Sequence, residues 1–206
     1  MTGRKWIPFL GLLVAAALVL SGLHPYDRGT WLMEVAPILL AAPLLVWTWR
    51  RFPLTSLLYI LIALHAVLLM VGGAYTYAQV PLGFWIQDLF HLARNPYDRL
   101  GHFAQGFVPA LIARELFVRL RIVRPGAWTA ILALTVALAI SLSYELVEWG
   151  AAVSLGQGAD AFLGTQGDPW DTQADMGMAF VGALVAVLGF AGIHDRQLAR
   201  VRSSPE

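Results

Sequence analysis

Glu145 and Glu148 lie in the run Ser141-Leu142-Ser143-Tyr144-Glu145-Leu146-Val147-Glu148-Trp149. Ser141, Glu145 and Glu148 are spaced i, i+4, i+7, which sets them on one stripe of a helix. Two carboxylates in an otherwise apolar helix are expensive to keep in lipid, so they are expected to face a bundle interior and to mark a functional site. A second run, Asn95-Pro96-Tyr97-Asp98-Arg99-Leu100-Gly101-His102, places His102 four residues after Asp98, with Gln105 near the same face. A third, Asp168-Pro169-Trp170-Asp171-Thr172-Gln173-Ala174-Asp175, sets Asp175 one turn after Asp171.

Carboxylates with one imidazole are the ligand set of a divalent cation: magnesium, calcium or manganese for an oxygen-rich site, zinc where a histidine joins. The expected metal ligands are His102, Glu145, Glu148, Asp171 and Asp175. Glu145, Glu148 and His102 are also the candidates for acid–base catalysis. Asp98, Gln105, Asp168 and Gln173 would surround them, and Arg94 and Arg99 would hold an anionic head group. Plainer roles exist for several of these. Asp98 and Asp171 stand where helix N-caps are expected, Asp160 and Asp168 suit a solvated loop, and His102 suits a hydrogen bond to a neighbouring carboxylate. His65 reads as an interhelical hydrogen bond. Arg114 and Glu115 read as pairing with neighbours or snorkelling. His24 and His194 receive no role.

The elements that must carry these residues are membrane helices. Hydrophobic residues make up 58% of the 206 and charged residues only 13%, about half the charge of a soluble domain. Backbone crossing a bilayer must satisfy its own hydrogen bonds, and the apolar runs approach the roughly 20 residues that a spanning helix needs. No sustained alternation suggests a barrel. The expected fold is all-α, a polytopic transmembrane helix bundle in one membrane domain. Six spans are expected, near residues 6–23, 31–49, 54–73, 100–120, 127–149 and 175–193. The first resembles a signal peptide but is read as retained, since no small-residue cleavage site follows. Pro37 and Pro43 should bend the second. Residues 84–92 suit a short interfacial helix, with Asp88, His91 and Asn95 on one face.

On this layout Arg4, Lys5, Arg50, Arg51, Arg114, Arg119, Arg121, Arg124, Arg196, Arg200 and Arg202 share one side, against Arg28, Arg94 and Arg99 on the other. The positive-inside rule then puts both termini in the cytoplasm. Most acids fall on the opposite side, which that rule does not require. Cysteine is absent, which removes disulfides, thiolate ligands and thiol nucleophiles. No phosphate loop, dinucleotide fingerprint or nucleophilic triad is present, and nothing suggests nucleic acid as a partner. The glycines Gly177, Gly182, Gly189 and Gly192 of the last span permit close helix packing.

Arg94 to Phe107 (RNPYDRLGHFAQGF), Ser143 to Trp149 (SYELVEW) and Asp160 to Met176 (DAFLGTQGDPWDTQADM) resemble the YjdF-like family of bacterial inner-membrane proteins. The resemblance implies a multi-pass protein of the bacterial cytoplasmic membrane and implies no reaction. A looser likeness joins the chain to VanZ-like membrane proteins, in which an Asp and a His open one helix and acids follow on later ones.

The functional expectation is a metal-assisted, membrane-embedded enzyme acting on a lipid or lipid-linked envelope substrate at the extracytoplasmic face. A small ion or solute transporter, and an accessory membrane protein with a structural metal site, are the alternatives.

Overall fold

The computed structural model describes residues 5–155 and 165–202. Asp160, and with it part of the last stretch that carries the family resemblance, lies outside them. The described residues form eight α-helices and no strand: α1 (Trp6–Ser21), α2 (Arg28–Thr48), α3 (Ser56–Ala74), α4 (Pro81–Phe90), α5 (Tyr97–Arg119), α6 (Ala127–Leu155), α7 (Asp171–Leu184) and α8 (Ala191–Arg202). A π-helical turn, Val185–Gly189, extends α7. Four helical stretches are long and apolar enough to cross a membrane: Arg28–Thr48, Ser56–Ala74, Ala127–Ser154 and Asp171–Gly189. Helix α1 is apolar but shorter.

Helix α5 is different in kind. It has 23 residues, about 35 Å at 1.5 Å per residue, yet it carries Asp98, Arg99, His102, Arg114, Glu115 and Arg119. It can be this polar because α3, α6 and α7 pack around it and most of its length is buried. The apolar helices take the positions facing lipid. On α2, for example, Leu40, Val46 and Trp47 are exposed. Pro37 and Pro43 do fall inside α2.

The contact between α5 and α7 depends on two glycines. A Cβ on Gly106 would strike the backbone carbonyl of Ala179, and one on Gly182 would strike that of Phe103. The two helices therefore meet backbone to backbone. Among the last-span glycines singled out by sequence, Gly182 alone has this role. A Cβ on Gly177 or Gly192 would meet nothing within 4 Å, and one on Gly189 would meet only Val185 of its own turn, at 3.9 Å.

Several sequence expectations at helix ends are corrected. Asp98 and Asp171 are not N-caps: α5 is preceded by Pro96 and α7 by Trp170, with no side-chain cap, and both acids sit inside the first turn. The side-chain cap on α2 is Asp27, whose carboxylate accepts from the Thr30 N–H at 2.7 Å. That bond holds its carboxyl below the ordinary range. Residues 81–90 do form the short helix α4, but His91 closes it in a left-handed conformation. Asn95 therefore does not share a helical face with Asp88. Helix α6 runs past Trp149 to Leu155.

At the end of the bundle where α5 finishes, a second polar cluster ties three helices together. Glu115 is fully buried. It accepts from the Thr55 hydroxyl at 2.8 Å, the Thr55 N–H at 3.0 Å and Arg119 at 2.8 Å, and pairs with His194 at 3.0 Å. Arg114 joins through His194 at 3.2 Å and Asp195 at 2.7 Å. Arg119 also reaches the Pro53 carbonyl at 2.6 Å and lies over the Phe52 ring at 3.7 Å. His194, given no role by sequence, is at the centre of this network. Arg114 and Glu115 are buried partners and do not snorkel.

Candidate functional site

The opposite end of the bundle gathers the starts of α2, α5 and α7 with the end of α6. Asn95 fixes the approach to α5. It is buried, its Nδ2 donates to the carbonyls of Ala78 and Val80 at 3.1 and 3.0 Å, and its Oδ1 accepts from the Tyr97 N–H at 3.0 Å. Gln166 then pairs with the backbone N–H and carbonyl of Asn95, each at 3.0 Å. The loops that enter α5 and α7 are thereby joined, which brings their first turns side by side.

Two arginines and three aspartates occupy that junction. Arg94 Nη1 donates to Asp171 Oδ1 at 2.5 Å and to the Thr165 carbonyl at 2.9 Å. Arg99 Nη1 donates to Asp175 Oδ1 at 2.5 Å, and its Nη2 to Asp171 Oδ1 at 2.9 Å and Asp168 Oδ2 at 3.1 Å. Such charge-assisted bonds on a planar fork fix the orientation of each carboxylate. Arg94 Nη2 lies 3.8 Å from Asp98 Oδ2, an ion-pair distance, and its buried Nε has no hydrogen-bond partner.

Deeper in, His102 is 5% exposed. Its Nδ1 lies 3.0 Å from Gln105 Oε1 and 3.7 Å from Glu145 Oε1. Its Nε2 lies 3.5 Å from Asp98 Oδ1 and 3.8 Å from Asp175 Oδ1. With Gln105 accepting from Nδ1–H, the Nε2 position faces two carboxylates. A lone pair there would oppose both, so a positive species belongs between them: a proton on the ring, or a cation. Asp98, His102 and Asp175 each offer one ligand atom, and these three atoms lie within 4.8 Å of one another. Glu145 is also buried, and its Oε1 has no hydrogen-bond partner.

Beside His102 is a small cavity of about 20 Å³ lined in part by Glu34, Tyr77, Asp98, Gln105, Tyr144 and Glu148. A water needs roughly 10–15 Å³ on this measure, so one small occupant fits. Tyr144 donates to Glu34 Oε2 at 2.7 Å. Tyr77, on the connection between α3 and α4, holds a left-handed backbone (φ 50°), and burial pushes its phenol well above the ordinary range.

The residues expected from sequence therefore divide. His102 and Asp175 come together, and Glu145 stands beside them. Asp98, expected in the surroundings, faces the imidazole directly. Glu148 lines the cavity with Glu34. Asp171 and Asp168 are held by the arginines. Gln105 pairs with His102, while Gln173 is exposed. Sequence reasoning missed Glu34, Tyr77 and Tyr144. For Glu34 the available signal was the same as for Glu145: an acid within an apolar helix. His65, expected to make an interhelical hydrogen bond, has a buried Nε2 with no partner.

Residues 7–196 match the family described as predicted membrane protein (DUF2238). The chain is 57% identical over 189 residues to the inner membrane protein YjdF of Escherichia coli (strain K12), an alignment covering 92% of this chain and 90% of that protein. No solved structure matches.

Proposed function

The chain belongs to the DUF2238 family of predicted membrane proteins and resides in the bacterial inner membrane, and from that premise we propose that it is a membrane-embedded, metal-assisted enzyme. In this reading α1 and α5 join the four long apolar helices to make six spans, an even number that puts both termini on one side, the cytoplasm. The positive-inside distribution supports this orientation. The acid-rich end then opens at the extracytoplasmic face, and the substrate is a lipid or lipid-linked envelope component.

The observation that carries the reading is the excess of buried acid around His102. Glu34, Asp98, Glu145, Asp171 and Asp175 are all buried, and the cations against them are Arg94, Arg99 and, when protonated, His102. Uncompensated charge at membrane depth is costly, and a divalent cation offsets it. Asp98, His102 and Asp175 would hold the ion, with Glu145 next to them. A bound divalent ion supplies Lewis-acid polarisation of a carbonyl or phosphoryl oxygen. Glu145 is the group placed to accept a proton, since its Oε1 has no other partner. Arg94 would orient an anionic substrate group through its Nε, which has no hydrogen-bond partner.

The test is made in cells. Lipids and lipid-linked intermediates are compared by mass spectrometry between a strain lacking the gene and the same strain carrying wild-type protein, Glu145→Gln or His102→Ala, at equal protein levels. The expected result is an accumulated species that wild type clears and both variants leave at least about tenfold higher, as the roughly 100-fold or greater rate loss from a missing acid–base group would produce. Variants that clear the species as wild type does would refute the enzymatic reading.

One observation favours transport instead. His65 Nε2 and Ser141 Oγ are buried without partners, and each lies four residues along its helix from a site residue, Leu69 of the cavity wall and Glu145. Charge movement in proteoliposomes that His65→Ala abolishes would select that reading.

A further inference from the structure

At the basic end, a second and larger cavity of about 640 Å³ lies between the α5–α6 connection and the end of α8, lined by Val118, Arg119, Arg121, Val123, Arg124 and Val201 among others. Its arginines are not equivalent. Arg119 is committed to Glu115, the Pro53 carbonyl and the Phe52 ring. Arg121 and Arg124 are exposed and make no ion pair among the described residues. Arg121 also holds a left-handed backbone at φ 57°, a region that residues other than Gly, Asn and Asp rarely enter. The turn around it is fixed: Ile122 N–H donates to the Phe117 carbonyl at 3.0 Å, and the Thr129 hydroxyl to the Arg124 carbonyl at 2.7 Å. The positive-inside rule asks for charge on this side. It does not ask for a cavity around the charge, nor for a strained arginine at its lip.

The neighbours of these arginines are apolar and exposed. Leu120, Ile122 and Trp128 are 55%, 61% and 69% accessible. Water would not favour such a rim, whereas the lipid interface would, with Trp128 at headgroup level. Free guanidinium groups over apolar side chains match the two halves of an anionic phospholipid. Guanidinium recognises phosphate oxygens through paired donors, and basic pockets at the cytoplasmic side of membrane proteins take lipid head groups.

We propose that the cavity at the α5–α6 connection binds the phosphate of an anionic phospholipid through Arg121 and Arg124, with Leu120, Ile122 and Trp128 against the acyl chains. The site is separate from the acid-rich end and independent of what that end does. A lipid bound here bridges the connection and the end of α8, and so braces the cytoplasmic side of the bundle.

The full chain in neutral detergent tests this, by binding of short-chain phosphatidylglycerol and phosphatidylcholine to wild type, to Arg121→Gln/Arg124→Gln, and to a charge-matched control, Arg50→Gln/Arg51→Gln. Wild type and control should bind phosphatidylglycerol alike and prefer it to phosphatidylcholine. The Arg121/Arg124 variant should bind it at least about fivefold more weakly for each arginine removed, the usual worth of one basic residue at an anionic surface. Equal binding by the two double variants, or equal binding of the two lipids, overturns the proposal. Competition by inorganic phosphate as effective as that by the lipid overturns the lipid assignment in favour of free phosphate. Should the double variant not fold, Arg124→Gln alone decides: affinity reduced about fivefold supports the site, and unchanged affinity overturns it.

Discussion

Gly182→Ala should destabilise the protein by about 3 kcal/mol or more, at the upper end of what overpacking costs. A new methyl group usually finds a side chain that turns aside. Here it would meet the Phe103 carbonyl, part of the α5 backbone, and Gly106 has the same relation to the Ala179 carbonyl of α7. Neither carbonyl can rotate away without breaking its own helix, so the helices must part. Asp98 and His102 are on α5 and Asp175 is on α7, so parting them also opens the candidate metal site. Gly177→Ala is the internal control. It lies on the same helix, a Cβ there meets nothing within 4 Å, and the higher helix propensity of alanine should leave it neutral or slightly stabilised. Unfolding in mixed detergent micelles compares the two. Equal stability of the variants would mean that α5 and α7 are not in backbone contact.

Glu115→Ala is the second large effect, expected to cost about 3–5 kcal/mol, the range for removing one partner of a buried charge network. The loss exceeds one hydrogen bond because four groups are stranded: the Thr55 hydroxyl, the Thr55 N–H, Arg119 and His194 each direct a polar atom at this carboxylate. His194 is itself fully buried. Glu115→Gln keeps the shape and an acceptor for Thr55 but not the charge opposite Arg119, so it should fall between alanine and wild type. Leu188→Ala, at a side chain 75% exposed, supplies the baseline for a lipid-facing truncation. Unfolding midpoints that coincide for Glu115→Ala and Leu188→Ala would remove the network from the account of stability.

The helices were legible because run length and composition decide them: a bilayer requires long apolar segments, and α2, α3 and α6 are such segments. Helix α5 was legible for another reason. Its polar residues recur at helical spacing, and only a helix surrounded by protein can hold them. Helix ends were read poorly. Asp98 and Asp171 have the composition of caps, yet Asp98 is turned to His102 of its own helix and Asp171 to Arg94 and Arg99. The candidate site was half legible. Spacing puts His102 with Asp98 and Glu145 with Ser141, because both pairs are local to one helix. It contains no information on which helices are neighbours. The contacts of His102 with Asp175, of Glu34 with Tyr144, and of Glu115 with His194 join residues dozens of positions apart, and they exist only once packing has chosen partners. Gly106 went unnoticed for the same reason: a glycine matters where another backbone approaches, and sequence does not say where that is.

Asp98, His102 and Asp175 are proposed to hold a divalent cation. Elemental mass spectrometry of the purified full chain, after supplementation with magnesium, calcium, manganese or zinc, tests it beside an Asp98→Asn/Asp175→Asn variant. That double substitution retains side-chain size while removing two ligand charges. Near-stoichiometric metal is expected in the wild type and is lost from the variant, with both proteins eluting as folded species. No metal in the wild type under any supplementation, or equal metal in both proteins, would contradict it.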